Sequence, residues 1–303
     1  MEHFFIRKNI TCAENGMTLK EYAAELGISK RLLTDIKFGG GDLLINGEHV
    51  TVKYVLREGD LLVVKFPEEQ VSETLLAEPV PLDILYEDEH VLVINKQPYV
   101  SSIPSREHPS GSIANGIIHH YQKNGVRATV HLVTRLDRDT SGVMLVAKHR
   151  FAHSILSSAQ KNGLVKRRYA AVVHGRLTQA EGTIDAPIGR HPDSIIERTV
   201  TPDGQKAVTH FYVTCANDDM TSVTLQLETG RTHQIRVHMS YLGHPLCGDT
   251  LYGGTRREIG RQALHSEQLS FIHPLTQEKM TFHASLPQDM KELIKGGRNL
   301  DSS

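Results

Sequence analysis

The first 67 residues alternate apolar and polar positions in a way that predicts two helices followed by short strands. The apolar side chains of LKEYAAELG fall on one face of a helix, and Gly27 ends it. Ser29 is expected to cap a second helix, SKRLLTDIK, which carries Lys30 and Arg31 in its first turn, where they oppose the helix dipole. DLLINGEHV and GDLLVVKFP then predict short strands, the first with an Asn-Gly turn.

From about residue 81 onward, strand patterns outnumber helical ones. PLDILYEDEHVLVINK predicts a hairpin, and VMLVA, RYAAVVHG, AVTHFYVT and SVTLQLE predict further strands. HRFAHSILSSAQKNG and RTHQIRVHMSYLG have helical spacing. Because the strands do not alternate strictly with helices, we predict an α+β domain over residues 81–295 with a mixed, largely antiparallel sheet, rather than a doubly wound fold.

Charge changes abruptly between these parts. Residues 68–89 hold eight acidic residues and no Lys or Arg, whereas residues 101–176 hold twelve Lys or Arg and three acidic residues. The acidic, weakly periodic stretch 68–80 predicts an extended linker, and residues 296–303 a flexible tail. The basic bias suits a polyanion such as nucleic acid, although a basic surface without a partner would give the same count.

The composition is that of an ordinary globular protein. The chain has 303 residues, of which 39% are hydrophobic and 23% charged. It lacks an apolar run long enough for a signal peptide or a membrane span. Three well-separated cysteines form no metal-ligand or disulfide pattern, so we expect reduced thiols. These features predict a cytoplasmic monomer with no membrane partner.

Several kinds of chemistry have no support in the sequence. There is no GxxxxGK[ST] loop, no GxGxxG after a strand and no GxSxG elbow. His233, His238 and His244 lie near one another but lack the HExxH spacing, and a polar groove or backbone contacts explain them better than a metal site. We therefore expect neither a cofactor nor a metal.

The stretch HLVTRLDRDTSG places Asp137 between two arginines and ends in a turn. Surface ion pairs would explain this pattern, but so would a reactive carboxylate that cations hold ionised. In VKRRYAAVVHG, cations lead into Tyr169, which could stack on a base or belong to the core. In ETGRTHQIRVHMSYLGHPLCGD, a turn precedes Arg231, which could meet a carboxylate or phosphate or lie on a solvated helix end.

A carboxylate, an aromatic ring and arginines suit chemistry at the anomeric carbon of a sugar, where a carboxylate can act as nucleophile or electrostatic partner. A glycosidase would need a second carboxylate. Asp139 follows Asp137 by two residues and would share its side on an extended segment, so a glycoside or nucleoside hydrolase stays an alternative.

Two resemblances to known families sharpen these expectations. Residues 17–66 resemble the small RNA-binding domain called the α-L motif, with Lys30, Arg31 and Lys37 as candidate RNA contacts. Residues 81–290 resemble the RluA-type pseudouridine synthases. The stretches that carry the second resemblance, in this order, are PLDILYEDEHVLVINK, RLDRDTSGVMLVAK, KRRYAAVVHG, APIGR, LETGRTHQIRVHMSYLGHPLCGDTLYG and RQALHSEQLSFIHPLT.

The second resemblance implies a cofactor-independent isomerisation of uridine to pseudouridine in RNA, with the target base flipped out. Asp137 stands at the catalytic aspartate, and Arg231 at the arginine that pairs with it. Tyr169 stands at the tyrosine on the target base, Ile235 at the apolar residue beside the base, and Arg135 at the arginine next to the flipped nucleotide. Gln234, beside Ile235 in the same stretch, is a further candidate for substrate binding.

The sequence departs from the family pattern at positions that would influence which RNA site is recognised, and the residues expected to carry the chemistry are retained. Thr134 stands where the family has His, and Tyr99 and Ile103 enter a loop where the family has Gly and His. The α-L domain favours a structured RNA, with ribosomal RNA preferred to transfer RNA. An RNA-binding or ribosome-assembly factor whose catalysis is dispensable is the alternative from another functional class.

Overall fold

The computed structural model describes residues 4–69 and 74–298, with side chains as far as residue 295. Within these residues the chain forms a small N-terminal unit and a larger sheet covered by helices. The elements are β1 (Phe5–Asn9), α1 (Leu19–Glu25), α2 (Lys30–Phe38), β2 (Asp42–Ile45), β3 (Glu48–His49), β4 (Leu61–Lys65), β5 (Asp83–Glu87), β6 (Val91–Lys96), α3 (Ile113–Lys123), β7 (His131–Leu132), β8 (Ser141–Ala147), α4 (Arg150–Lys161), β9 (Lys166–His174), β10 (Glu181–Asp185), β11 (Ile188–Arg190), β12 (Arg198–Val200), β13 (Val208–Ala216), β14 (Met220–Leu227), α5 (Gln234–Tyr241), β15 (Leu264–Ile272), β16 (Lys279–His283) and α6 (Gln288–Arg298).

Local sequence signals explain the elements of the N-terminal unit. Thr18 and Glu21 form a capping box at the start of α1, and the Ser29 hydroxyl accepts a backbone N–H of the first turn of α2. Between β2 and β3, Asn46 and Gly47 have φ values of 53° and 90°, as a tight two-residue hairpin requires. The four strands pair antiparallel in the order β1-β4-β2-β3.

Helix α4 of the larger unit packs against the N-terminal unit. Phe151 joins the apolar core of that unit, and the Ser154 hydroxyl donates to the Gly27 carbonyl at 2.9 Å. A Cβ at Gly27 would lie 2.7 Å from the Ile155 side chain, so the glycine permits this close approach. The contact fixes α1 and α2 relative to the large sheet.

The larger unit is built on a ten-stranded sheet with the main order β10-β13-β14-β9-β15-β8-β6-β5, with β16 paired to β15 and β7 to β8. Strands β8 and β15 pair in parallel, and the other pairs of this sheet are antiparallel. The predicted α+β class with a mixed, largely antiparallel sheet is therefore confirmed.

Apolar residues alternate between two cores on opposite faces of the sheet. In β6, Leu92 and Ile94 join one core, which α3 also enters, whereas Val91 and Val93 join the other, together with α4. Every residue of β8 is buried. The strand that follows Asp137 is thus held on both faces, which gives the preceding segment a rigid base.

The parallel contact between β8 and β15 brings that segment to its place. Ser141 and Gly142 pair with His265 and Ser266. Gly142 has a φ of 113°, and a Cβ at this position would lie 2.2 Å from the Ser266 carbonyl oxygen. Only glycine fits there, because both the conformation and the space exclude a side chain.

Three elements differ from the sequence-based expectation. Helix α5 begins at Gln234, not at Arg231, because His233 has a φ of 57° that interrupts the helix. The segment after Asp137 is not extended, since the Thr140 N–H donates to the Asp137 carbonyl oxygen at 3.1 Å and closes a turn. Helix α6 runs to Arg298, past the predicted boundary at residue 295.

Parts of the predicted linker and tail lie outside the described residues, namely 70–73 and 299–303. Next to the first gap, the Glu69 carboxylate accepts from the Arg150 backbone N–H at 2.9 Å and lies 3.1 Å from His131 Nε2. The Glu78 carboxylate accepts from the Gly111 N–H at 2.7 Å. Both sides of the acidic stretch are thus attached to the large unit. No helix in the described part of the chain is long and apolar enough to cross a membrane.

Candidate active site

A pocket opens where segment 135–140, β9, α5 and the loop before α5 meet. The pocket is lined by the Asp137 carboxylate and by four arginines, Arg135, Arg167, Arg231 and Arg236. Four guanidinium groups around one carboxylate create a site suited to a substrate that carries phosphate.

Distant parts of the chain brace the turn that carries Asp137. The Ser102 hydroxyl donates to the Leu136 carbonyl at 2.6 Å and accepts the Leu136 N–H at 3.2 Å. The buried ammonium of Lys96 donates to the Arg138 carbonyl at 2.9 Å, and Arg261 donates to the Asp139 carbonyl at 3.0 Å. The backbone on both sides of Asp137 is therefore fixed.

Lys96 also organises the loop that follows β6. Its Nζ donates to the carbonyls of Gln97 and Val100 at 2.9 and 2.8 Å. Burial lowers the pKa of Lys96 to about 7, and the charges of Asp137 and Asp139 act in the opposite direction. One ammonium thus joins the loop of residues 97–100 to the turn that carries Asp137.

The arginine that pairs with Asp137 is Arg236, so the predicted pairing with Arg231 is wrong. Arg236 Nη1 donates to Asp137 Oδ2 at 3.2 Å, while Nε and Nη2 hold the buried Asp249 carboxylate at 2.7 and 2.8 Å. Arg231 is exposed and donates from Nε to the Lys206 carbonyl at 3.0 Å. Because the helix begins only at Gln234, Arg231 stays in the preceding loop and Arg236 reaches the carboxylate from the first turn.

The Arg236 guanidinium stays charged in this setting. Burial alone would lower its pKa, but the hydrogen bonds and charges of Asp249 and Asp137 outweigh burial and raise the pKa above its usual value. Asp249 therefore aims the guanidinium, and the guanidinium places a permanent positive charge beside Asp137.

Tyr169, Ile235 and Arg135 all line the pocket of Asp137. Tyr169 and Ile235 are 5% and 4% exposed and belong to one apolar core, so each is both a core residue and part of the pocket wall. Arg135 is exposed. The structure thus brings these three predicted residues together around the carboxylate.

Gln234 lines the same pocket, but its amide already has protein partners. Its Oε1 accepts from the Thr229 hydroxyl and the Arg231 N–H, at 2.8 and 2.9 Å. Its Nε2 donates to the Val208 carbonyl and the Thr209 hydroxyl, at 2.9 and 3.0 Å. These bonds use the capacity of the amide, so the structure gives Gln234 a bracing role in place of the predicted contact with substrate.

Asp139 does not share the pocket with Asp137. Its carboxylate forms an ion pair with Arg138 at 3.0 Å, and it is absent from the pocket lining among the described residues. The turn at residues 137–140 directs the two carboxylates differently, which removes the geometric basis for a pair of catalytic acids.

Lys30 and Arg31 lie on exposed positions of α2, away from Asp137, in a hollow between α2 and α4. Lys161 lines this hollow and also a second one along β9, and Arg167 lines both the second hollow and the pocket of Asp137. We call these two hollows, which share Lys161, the "basic groove". Its cationic side chains are Lys30, Arg31, Arg150, Lys161, Lys166, Arg167, Arg168 and Lys279.

Sequence reasoning missed Arg236, Asp249 and Lys96. The first two lie within the quoted stretch that contains Arg231, and Lys96 ends the stretch PLDILYEDEHVLVINK. Two arginines five residues apart were equally plausible partners for Asp137, and only the start of α5 decides between them. A lysine at the end of an apolar strand was a weak signal for a buried ammonium.

Comparisons with known proteins point to one family. The model of the RNA pseudouridylate synthase family matches residues 90–241. The chain is 92% identical over 280 residues to "Uncharacterized RNA pseudouridine synthase YjbO" of Bacillus subtilis (strain 168), covering 92% of this chain and 99% of the relative. It is 41% identical over 272 residues to the ribosomal large subunit pseudouridine synthase D of Vibrio parahaemolyticus, covering 85% of this chain and 83% of the relative.

Solved structures support the same fold. The structure of human RNA pseudouridylate synthase domain containing 4 superposes with a TM-score of 0.58 at 24% identity, covering 71% of this chain and 93% of that one. Human RNA pseudouridylate synthase domain containing 1 gives a TM-score of 0.56 at 24% identity, covering 73% and 96%.

Proposed function

The chain belongs to the RNA pseudouridylate synthase family, and from that premise we propose that it converts a uridine of large-subunit ribosomal RNA to pseudouridine with Asp137 as the catalytic group. The observation that carries the proposal is the Asp137 carboxylate, paired with Arg236 in a pocket lined by arginines, Tyr169 and Ile235.

The reaction balances without a co-reactant, because pseudouridine is an isomer of uridine. The bond from N1 of uracil to C1′ of ribose breaks, a bond from C5 to C1′ forms, a proton leaves C5 and a proton joins N1. Asp137 either adds to C1′ or removes a ribose proton to give a glycal-like intermediate. Both routes use the carboxylate that pairs with the Arg236 guanidinium at 3.2 Å.

The other pocket residues suit a flipped uridine. Tyr169 and Ile235 offer an aromatic and an apolar surface to the base, and Arg135 offers a guanidinium to a phosphate or to the space that the base leaves. Unstacking a base costs a few kcal/mol, which these contacts would offset.

Two lines of support favour ribosomal RNA. The relative from Vibrio parahaemolyticus is a ribosomal large subunit pseudouridine synthase, and its match covers 85% of this chain. The basic groove also extends from the pocket of Asp137 to Lys30 and Arg31 on α2, which provides a second attachment point for a structured RNA. We therefore include RNA binding by residues 1–67 in the proposal.

Mapping pseudouridine chemically in ribosomal and transfer RNA tests the reaction and the substrate together. Cells without the gene would be complemented with the wild type, with Asp137→Asn, or with Asp139→Ala as the matched control. We expect one site in large-subunit ribosomal RNA to disappear, and the wild type and Asp139→Ala to restore it. Restoration by Asp137→Asn would refute the catalytic assignment, and loss of a transfer RNA site instead would refute the substrate.

The contribution of the N-terminal unit can be measured separately. Lys30→Glu with Arg31→Glu should raise KM for RNA about tenfold with little change in kcat, because these residues lie away from Asp137. Lys8→Glu with Lys53→Glu, two exposed changes outside the basic groove, is the charge-matched control. Equal effects of the two charge changes would contradict a specific RNA contact at α2.

A further inference from the structure

His233, beside the candidate catalytic carboxylate, adopts a strained backbone conformation. Its φ is 57°, in the left-handed region that non-glycine residues seldom occupy, and its side chain does not cap α5. The loop around it is held by Gln234, whose Oε1 accepts from Thr229 and from the Arg231 N–H. Such strain persists only where the surrounding structure imposes it, and it is frequent at functional sites.

A chain of hydrogen bonds favours one tautomer of His233. The Arg198 backbone N–H donates to the Tyr252 hydroxyl oxygen at 3.0 Å, and that hydroxyl lies 2.8 Å from His233 Nδ1. The hydroxyl oxygen accepts from Arg198, and donation of the hydroxyl proton to Nδ1 uses its remaining donor. The proton of a neutral imidazole is then on Nε2.

This Nε2–H faces the carboxylate. His233 Nε2 lies 3.9 Å from Asp137 Oδ1, while Arg236 occupies Asp137 Oδ2 at 3.2 Å. The His233 side chain is only 13% exposed, against 27% for Asp137. Burial lowers the pKa of His233, although the charge of Asp137 acts in the opposite direction, and the lowered pKa favours the neutral imidazole.

We propose that His233 is a positioning residue that donates its Nε2–H to Asp137 Oδ1 in the RNA-bound enzyme, with Tyr252 setting the tautomer that makes this possible. The distance of 3.9 Å exceeds a hydrogen bond and must shorten when RNA binds, as contacts in free active sites commonly do. Arg236 and His233 then hold one carboxylate oxygen each, which fixes the direction from which Asp137 meets the ribose. The proposal rests on the proposed function.

The alternative is that His233 only forms the backbone turn, and substitutions separate the two roles. Gln can place an N–H where Nε2 is now, whereas Asn tolerates the left-handed conformation better but is one carbon too short to reach Asp137. Single-turnover rate and KM would be measured for the wild type, His233→Ala, His233→Gln, His233→Asn, Tyr252→Phe and the double variant His233→Ala/Tyr252→Phe, on RNA that contains the mapped uridine. Tyr252→Phe keeps the ring that lies 4.9 Å from the Arg236 guanidinium carbon.

We expect His233→Ala and His233→Asn to lower the single-turnover rate about tenfold with KM unchanged, and His233→Gln to recover most of it. Tyr252→Phe should lose part of the rate, and the double variant no more than His233→Ala, because Tyr252 acts through His233. Recovery by Asn and not by Gln, additive losses, or a change confined to KM would overturn the proposal. If the wild type forms no pseudouridine, the proposed function fails instead.

Discussion

Acid should weaken the protein through His149, which joins α4 to the N-terminal unit. His149 Nδ1 accepts the Ala152 N–H at 3.2 Å and thereby caps α4, and its Nε2 lies 3.0 Å from His90 Nδ1. Its ring lies 4.2 Å from that of Phe4. Burial lowers the pKa of His149 from 6.5 to about 3, and the nearby His90 acts in the same direction.

The sign and size follow from linkage. A histidine whose pKa is depressed in the folded state is protonated first in the unfolded chain, so stability falls as the pH drops below the unfolded value of 6.5 and continues to fall towards the folded value of about 3. Between pH 7 and pH 5, one such histidine costs at most about 2 kcal/mol. Protonation would also remove the acceptor that caps α4.

Urea unfolding at pH 7 and pH 5 measures this cost. Circular dichroism is a suitable probe, because the chain has no tryptophan. The comparison is with His149→Asn, since Asn is a favoured N-cap residue that does not titrate. We expect the wild type to lose about 2 kcal/mol more than the variant between the two pH values. Equal losses would show that His149 does not carry the acid sensitivity.

Three further substitutions test the site and its supports. Arg236→Lys keeps the charge but cannot hold two carboxylates, and should lower kcat/KM about 30-fold in a pseudouridine formation assay; unchanged activity would remove the Asp137 pair from the mechanism. Gly142→Ala places a methyl group against the Ser266 carbonyl and should cost at least about 2 kcal/mol by urea unfolding, with a neutral result contradicting the close approach. Tyr99→Gly removes a side chain from a φ of 68°, so the melting temperature should stay the same or rise, and a marked fall would show that the ring stabilises its loop.

Local elements were predictable where one or two residues decide them. Ser29 caps α2, and Asn46 and Gly47 form the hairpin, because these side chains or conformations act within a single turn. The fold class also followed from the strand pattern. The resemblance to a known family suggested the pocket positions of Asp137, Tyr169 and Ile235, which alternation alone could not have selected from the many core residues.

The partner of Asp137 was not predictable, because it depends on where α5 begins. The left-handed conformation of His233 delays that start, and it accompanies a contact of the His233 ring with Tyr252, 19 residues later, that local sequence does not reveal. The turn after Asp137 could not be predicted for the same reason. It is closed by its own backbone and held by Lys96, which lies about 40 residues earlier in the chain. Long-range contacts of this kind override local tendencies.

The braces of the Asp137 turn also determine when a growing chain acquires its reactive site. Lys96 and Ser102 precede that turn, but Arg261 and the β15 partner Ser266 are made more than 120 residues after it. During synthesis, Asp137 therefore leaves the ribosome long before Arg261 and Ser266 can support its turn. A chain cut short before Arg261 would carry every predicted pocket residue and yet lack an assembled site, so premature fragments should not modify RNA.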